Sequence, residues 1–315
     1  MTYLKLRTSL KNAPEKSRNE LCLVQIISVL SNPTVKRIIE EQKVIEMLRQ
    51  PEVIGIASGK GGVGKTSLSV NIARQIAENG KKVFLFDGDM GLANAQIALG
   101  VKARENISHV ILGEKNINEI IIQVSPGFSL IPGASGVQQM AALNNIEMAG
   151  IVSIFSEIKA DIDFFIIDLA AGISPSVLTL LDACHKRVIV VADEPSSIAD
   201  AYGLIKVVCQ RSKRDDIYMV ENRFKGQPSE KDASNLFKLI NQVCIKFLDR
   251  SIKNLGTISD DELFSMALKE NKALLDYAPT SIALKDIKSI VREIFALDPV
   301  QDMNGGLEFF IDRKQ

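Results

Sequence analysis

Between residues 53 and 258 lie seven short apolar runs, several of them apolar at nearly every position: VIGIA (53–57), KVFLFD (82–87), FSLIP (128–132), DFFIID (163–168), RVIVVAD (187–193), IYMVEN (217–222) and NLGTI (254–258). A strand with one wet face alternates apolar and polar residues. A strand that is apolar throughout is covered on both faces, as in a parallel sheet between two layers of helices. The intervening stretches supply those helices. SLSVNIARQIAENG has apolar residues at helical spacing and ends on Gly80, a residue suited to closing a helix. The alternation predicts one α/β domain over residues 51–300, with a doubly wound, mostly parallel sheet flanked by helices. In such sheets ligands bind beyond the carboxyl ends of the strands, so the chemistry is expected just after the apolar runs.

Composition narrows the class. The 315 residues are 46% hydrophobic and 24% charged, which is ordinary for a soluble protein with a sizeable core. Lysine plus arginine (38) equals aspartate plus glutamate (38), so no strongly basic nucleic-acid binder is signalled and DNA is not expected as a ligand. Cys22, Cys184, Cys209 and Cys244 are far apart with no CxxC pair, which points to reduced thiols in a cytoplasmic protein. No apolar run approaches the ~20 residues that span a bilayer. The amino terminus lacks the apolar core and small-residue cleavage site of a secretory leader. Any membrane contact is therefore expected to be peripheral. Residues 1–50 read as a separate, partly helical extension: KNAPEKSRNE is polar, LCLVQIISVL and TVKRIIEEQKVIEMLRQ are helix-like, and Pro51 breaks the chain.

The first apolar run leads into GKGGVGKT (59–66), which fits GxxxxGK[ST] between a strand-like and a helix-like stretch. Glycines let backbone N–H groups converge on phosphate oxygens, and the helix amino end adds positive potential. The expected ATP-binding segment is Gly59, Lys60, Gly61, Gly62, Val63, Gly64, Lys65, Thr66 and Ser67. Lys65 is expected on the β- and γ-phosphates, and the Thr66 hydroxyl on Mg²⁺. Lys60 is unusual, because an ordinary phosphate loop requires no cation there. Folding back onto its own phosphates is awkward for it. Reaching the nucleotide of a second subunit, as an arginine finger does, is the natural alternative.

KGGVGKT resembles the deviant phosphate loop of the MinD/ParA class of ATPases. The resemblance implies that Lys60 is the signature lysine, that ATP is sandwiched in a homodimer, and that Mg-ATP is hydrolysed slowly in a switch-like way. FDGDMGLANAQIALG (86–100) is similar to the class's switch I segment, which implies that Asp89 orients the attacking water near the metal. DFFIIDLAAGIS (163–174) is similar to switch II. By that likeness Asp168 is the second metal-side carboxylate and Gly172 presents its N–H to the γ-phosphate. Leu169 and Ala170 depart from the usual DTPAG or DTGAG. They motivate a second reading, a nucleotide-binding module with little turnover. Asn222 and Arg223, in VENRF, match positions that contact the base in this class; a structural asparagine at a strand end is an equally open reading.

Three stretches are similar to the flagellar number regulators of the FlhG/FleN type: DEPSSIADAYGLIK (193–206), IPGASGVQQMAAL (131–143) and GDMGLANAQIALG (88–100). The resemblance implies control of flagellar number or placement, with flagellar basal-body or transcription-regulator proteins as partners. The alternatives within the class are a division-site or a DNA-partition ATPase. EQKVIEMLR (41–49) approximates the DQAxxLR segment with which such regulators stimulate the FlhF GTPase; a packing helix is the other reading. In the tail GGLEFFIDRKQ (305–315), Leu307, Phe310 and Ile311 share a helical face, with Phe309 at its edge and Arg313 and Lys314 close to the end. Such a segment suits an anionic membrane surface, here the inner face of the cell membrane. Docking on the protein's own surface is the competing reading.

Overall fold

The computed structural model describes residues 51–91, 93–134, 145–225, 234–298 and 308–310. The amino-terminal extension, the greater part of the carboxyl-terminal tail, and Leu307 and Ile311 lie outside the described residues. The described elements run β1 (Glu52–Ser58), α1 (Lys65–Glu78), β2 (Val83–Gly88), α2 (Ala95–Ala98), α3 (Ile107–Ile111), α4 (Ile117–Ile120), β3 (Ile122–Ser125), β4 (Phe128–Ile131), α5 (Asn145–Ile154), a 3₁₀ turn at Phe155–Glu157, β5 (Phe164–Ala171), α6 (Pro175–Asp182), β6 (Lys186–Ala192), α7 (Pro195–Arg211), β7 (Ile217–Phe224), α8 (Asn235–Leu248), β8 (Lys253–Ser259), α9 (Glu262–Lys269), α10 (Leu274–Tyr277) and α11 (Ile282–Ala296).

The sheet has eight strands in the order β3-β4-β2-β5-β1-β6-β7-β8. Every pairing is parallel except β3 with β4. Each of the seven apolar runs falls on a strand. The eighth strand, β3, is a short partly exposed edge (IQVS) that no apolar run announces. Alternate residues of the central strands feed two separate cores. Val53, Phe86, Phe165, Ile167 and Ile189 pack toward one layer of helices, and Ile54, Ile56, Leu85, Ile166 and Val188 toward the other. This two-sided burial is the reason the strands read as continuous apolar runs. Helix α1 closes where expected. Gly80 takes φ +77°, and its N–H donates to the Ala77 carbonyl.

One face holds an aromatic group. Phe155 lies 4.8 Å from Phe86 and 5.1 Å from Phe165, centroid to centroid. Phe309 and Phe310 of the tail complete it. Phe309 sits 5.5 Å from both Phe155 and Phe165, and Phe310 packs edge-on to Phe165 at 5.1 Å. Both tail rings are 1% exposed. The sequence reading placed these two rings on a lipid-facing helix. Here they are core residues in a turn, with Phe310 at φ +63°. The physical reason is the apolar slot beside Phe155 and Phe165, which helical spacing within the tail cannot reveal.

Candidate functional site

Strand order reverses around β1, because the crossover from β1 leads to β2 on one side while that from β5 leads to β6 on the other. Such a reversal opens a crevice at the carboxyl ends of the strands, and the loop after β1 occupies it. Gly62 (φ +80°) and Gly64 (φ +93°) take left-handed conformations that a side chain would strain. Space is short as well: a Cβ on Gly64 would lie 2.3 Å from the Asn222 amide nitrogen. Helix α1 starts at Lys65, and its N-cap, Gly64, offers no side-chain cap. The first N–H groups of this 14-residue helix therefore face the crevice as an anion site.

A pocket of about 430 Å³ lies there, walled by Gly62, Gly64, Lys65, Thr66, Ser67 and Arg223, together with Ser58, Asn94, Ile97, Ala98 and Leu268. The structure thus brings most of the expected loop residues to one cavity. It adds Asn94, from the GLAN of switch I, and Leu268, from the helix after β8. Asn94, Ile97 and Ala98 all lie in the switch I stretch 86–100, although no role there was assigned to them individually.

The two loop lysines go to different places. Lys65 is buried, with its Nζ 3.6 Å from Asp168 Oδ1. Lys60 does not line the pocket. Its Nζ donates to Glu194 Oε2 (2.8 Å) and to Ser196 Oγ (2.7 Å) at the start of α7. Neither partner was singled out for chemistry in the sequence. Their stretch, DEPSS, stood out only as a family likeness.

Asp168 is 1% exposed and accepts from Ser69 Oγ at 3.1 Å. Burial raises its pKa, opposed by the Lys65 charge and by hydrogen bonds from Thr66 and Ser69. Asp87 is its register neighbour on β2. Burial pushes the Asp87 carboxyl up to about 7, and the adjacent Asp168 adds to the shift. N–H groups of Ala95 (2.8 Å) and Asp89 (3.3 Å) donate to Asp87 and pull the other way. Asp89 is half-buried just after β2, and its Oδ1 accepts from the Gly91 N–H at 3.2 Å.

Three expected ligands bond to the protein itself in this structure. The Gly172 N–H, expected toward a γ-phosphate, donates to the Ser58 carbonyl at 2.9 Å and prolongs the β1–β5 pairing. The Asn222 amide, expected on a base, donates to the Val63 carbonyl at 2.7 Å. Arg223, at φ +59°, donates to the Gly62 carbonyl at 3.0 Å. Both side chains brace the phosphate loop from β7. Leu169 is fully buried in the core, pointing away from Asp168's side of the sheet. Its departure from the usual threonine therefore costs the pocket nothing directly.

Thr66 donates a side-chain hydrogen bond to Asp168, so a hydroxyl and a carboxylate stand together beside the loop N–H groups, a pairing of oxygen donors that suits Mg²⁺ with a nucleotide.

A family model described as an AAA domain matches residues 51–219. The chain is 35% identical to the antiactivator FleN of Pseudomonas aeruginosa, over 83% of this chain and 92% of that protein. It is 34% identical to the flagellum site-determining protein YlxH of Helicobacter pylori, over 75% of this chain and 79% of the relative. The fold matches the septum site-determining protein MinD complexed with Mg-ADP from Pyrococcus horikoshii, with TM-score 0.65 and 22% identity over 78% of this chain and 96% of that one. Loop, topology and relatives converge: the chain belongs to the MinD/ParA class of P-loop ATPases and is of the FlhG/FleN type.

Proposed function

We propose that this protein is an ATP-driven dimerisation switch that controls flagellar number or placement from the inner face of the cell membrane. The observation that carries the reading is the divergence of the two lysines: Lys65 is buried beside Asp168, while Lys60 stands outside that pocket with its side chain 35% exposed. A cation held outside its own pocket suits work on the triphosphate of a second copy. In this reading Lys65 and the loop N–H groups hold the phosphates, and the Thr66 hydroxyl, Asp89 and Asp168 hold Mg²⁺, Asp168 through water. When bound, the metal neutralises charge on the β- and γ-phosphate oxygens. Asp89 also orients the attacking water. Gly172 must give up its bond to Ser58 before its N–H can meet a γ-phosphate, which suits a slow, timer-like hydrolysis. Arg223 stacks on the base, with Asn222 at its edge.

The flagellar assignment is supported by the names of the two relatives, antiactivator FleN and flagellum site-determining YlxH. Basal-body or transcription-regulator proteins are the partners this suggests, with the FlhF GTPase as a partner of residues 41–49. Membrane attachment through Leu307, Phe309, Phe310 and Ile311 requires the two phenylalanines to leave their aromatic slot. Two tails in one dimer then add their affinities. Cosedimentation with anionic liposomes tests the reading. Full-length protein should pellet with Mg-ATP and stay in solution with Mg-ADP, and a chain lacking residues 305–315 should stay in solution with both. Lipid binding that ignores the nucleotide, or survives loss of the tail, overturns the membrane part. A deletion strain with altered cell division and normal flagellar count overturns the flagellar part.

A further inference from the structure

We propose that Asn71 sets the width of the nucleotide pocket: its buried amide ties the phosphate-loop helix to the segment that carries Leu268, an apolar wall for the nucleoside. The inference rests on the nucleotide reading above and makes Asn71 a positioning residue that acts through Leu268.

The pocket has two chemistries. Lys65, Thr66 and the loop furnish a polar part, whereas Ile97, Ala98 and Leu268 are apolar. A nucleotide divides in the same way, into charged phosphates and a base with apolar faces. Arg223, assigned above to the base, lines the same pocket. Leu268 is half-buried on α9, far from the loop in sequence, so something must hold it at a fixed distance from the phosphate end.

That support comes from α1. Asn71 is 3% exposed. Its Nδ2 donates to the Ser67 carbonyl at 2.8 Å, and its Oδ1 accepts from the Leu274 N–H at 2.6 Å. Leu274 opens α10, whose N-cap, Ala273, has no side chain to serve that N–H. About one turn further along α1, Arg74 grips Asp276 of α10 through Nε (3.0 Å) and Nη2 (2.8 Å). A tight turn then joins α10 to α9. Asn271, at φ +53°, donates to the Leu268 carbonyl, and Lys272 donates to the Ala267 carbonyl. The turn is also pressed against the end of α2, since a Cβ on Gly100 would lie 2.9 Å from the Asn271 carbonyl oxygen. Leu268 and α10 therefore move as one piece, and a step of α10 away from α1 widens the pocket. The two ends of the Asn71 amide are not equal. The Ser67 carbonyl also receives the Asn71 backbone N–H, as in any α-helix. Removing the amide thus leaves the phosphate end satisfied and strands the buried Leu274 N–H on the side of the wall.

The test compares the full chain with its variants by calorimetry, using Mg-ATP and inorganic tripolyphosphate, which has the phosphates and no nucleoside. Wild type should bind Mg-ATP the more tightly. Leu268→Ala should weaken Mg-ATP roughly ten-fold and leave tripolyphosphate within about two-fold. Asn71→Ala should give the same pattern, and adding it to Leu268→Ala should cost little more, because both changes act on one wall. Arg74→Gln loosens the more exposed tie. It should repeat the pattern at roughly two- to three-fold, and it decides the matter if Asn71→Ala does not fold. Equal losses for the two ligands in Asn71→Ala overturn the proposal, because the amide would then act on the phosphate loop. Unchanged Mg-ATP affinity in Asn71→Ala or Leu268→Ala overturns it too, as do losses that multiply in the double variant. A wild type that binds tripolyphosphate as tightly as Mg-ATP overturns the wall alone. A wild type that binds neither ligand defeats the nucleotide reading, and the proposal falls with it.

Discussion

At the scale of single residues, the site is a set of charges whose surroundings assign their tasks. Lys65 is buried and faces Asp168, whereas Lys60 is at the surface on Glu194. Their alanine variants should therefore separate. Lys65→Ala removes a desolvated cation from the phosphate cradle and should weaken ATP binding roughly 100-fold by titration calorimetry. Lys60→Ala should leave binding within roughly three-fold and abolish dimerisation and turnover. Equal binding losses would mean that both lysines serve the same nucleotide. Asp87 gives a pH signature. Its carboxyl is raised to about 7 in the fold from an ordinary 3.8, so the folded state binds the proton more tightly than the unfolded state. That contribution is present at low pH and is lost as pH rises through this window. The raised Asp168 acts in the same direction. Nucleotide-free protein should thus become less stable to urea between about pH 4 and pH 7, with a weaker trend in Asp87→Asn. A stability that rises across that range in both proteins would contradict this picture.

At the scale of elements, β7 does more than add a strand. Its last residues reach under the phosphate loop, with Asn222 bonded to Val63 and Arg223 to Gly62. Asn222→Ala should leave the Val63 carbonyl without that donor and loosen a loop that needs two left-handed glycines. We expect about 1–2 kcal/mol of lost stability and roughly ten-fold weaker ATP binding, read by chemical denaturation and calorimetry. Much of this architecture is legible in the sequence, because strands buried on both faces leave continuous apolar runs and a phosphate loop leaves a fixed glycine pattern. Positions set by local chain chemistry, such as Lys65, Thr66 and Gly80, are legible for the same reason. The edge strand β3 is illegible, being short and half-wet. So are the partners of Asn222 and Lys60, since each bond joins segments more than a hundred residues apart. Spacing along the chain carries no record of such contacts.

At the scale of the whole molecule, the tail is the part that sequence reasoning placed differently. A phenylalanine pair near two cations suggests lipid when read locally, but the fold supplies an aromatic slot for it. Replacing Phe309 and Phe310 together with alanine should destabilise the nucleotide-free protein by about 3 kcal/mol or more, the scale of a large aromatic leaving a core. An unchanged denaturation midpoint would show that the docked tail contributes nothing. In the switch proposed above, three contacts of the structure are the ones that Mg-ATP exchanges for others: Lys60 on Glu194, the Gly172 N–H on Ser58, and the phenylalanines in their slot. The first of these exchanges needs a second copy to accept the lysine. The most direct measurement is therefore molar mass by light scattering with saturating Mg-ATP, using a hydrolysis-blocked Asp89→Ala chain. The account predicts twice the 34.5-kDa chain mass with Mg-ATP and a single chain with Mg-ADP. A single-chain mass with both nucleotides would contradict it.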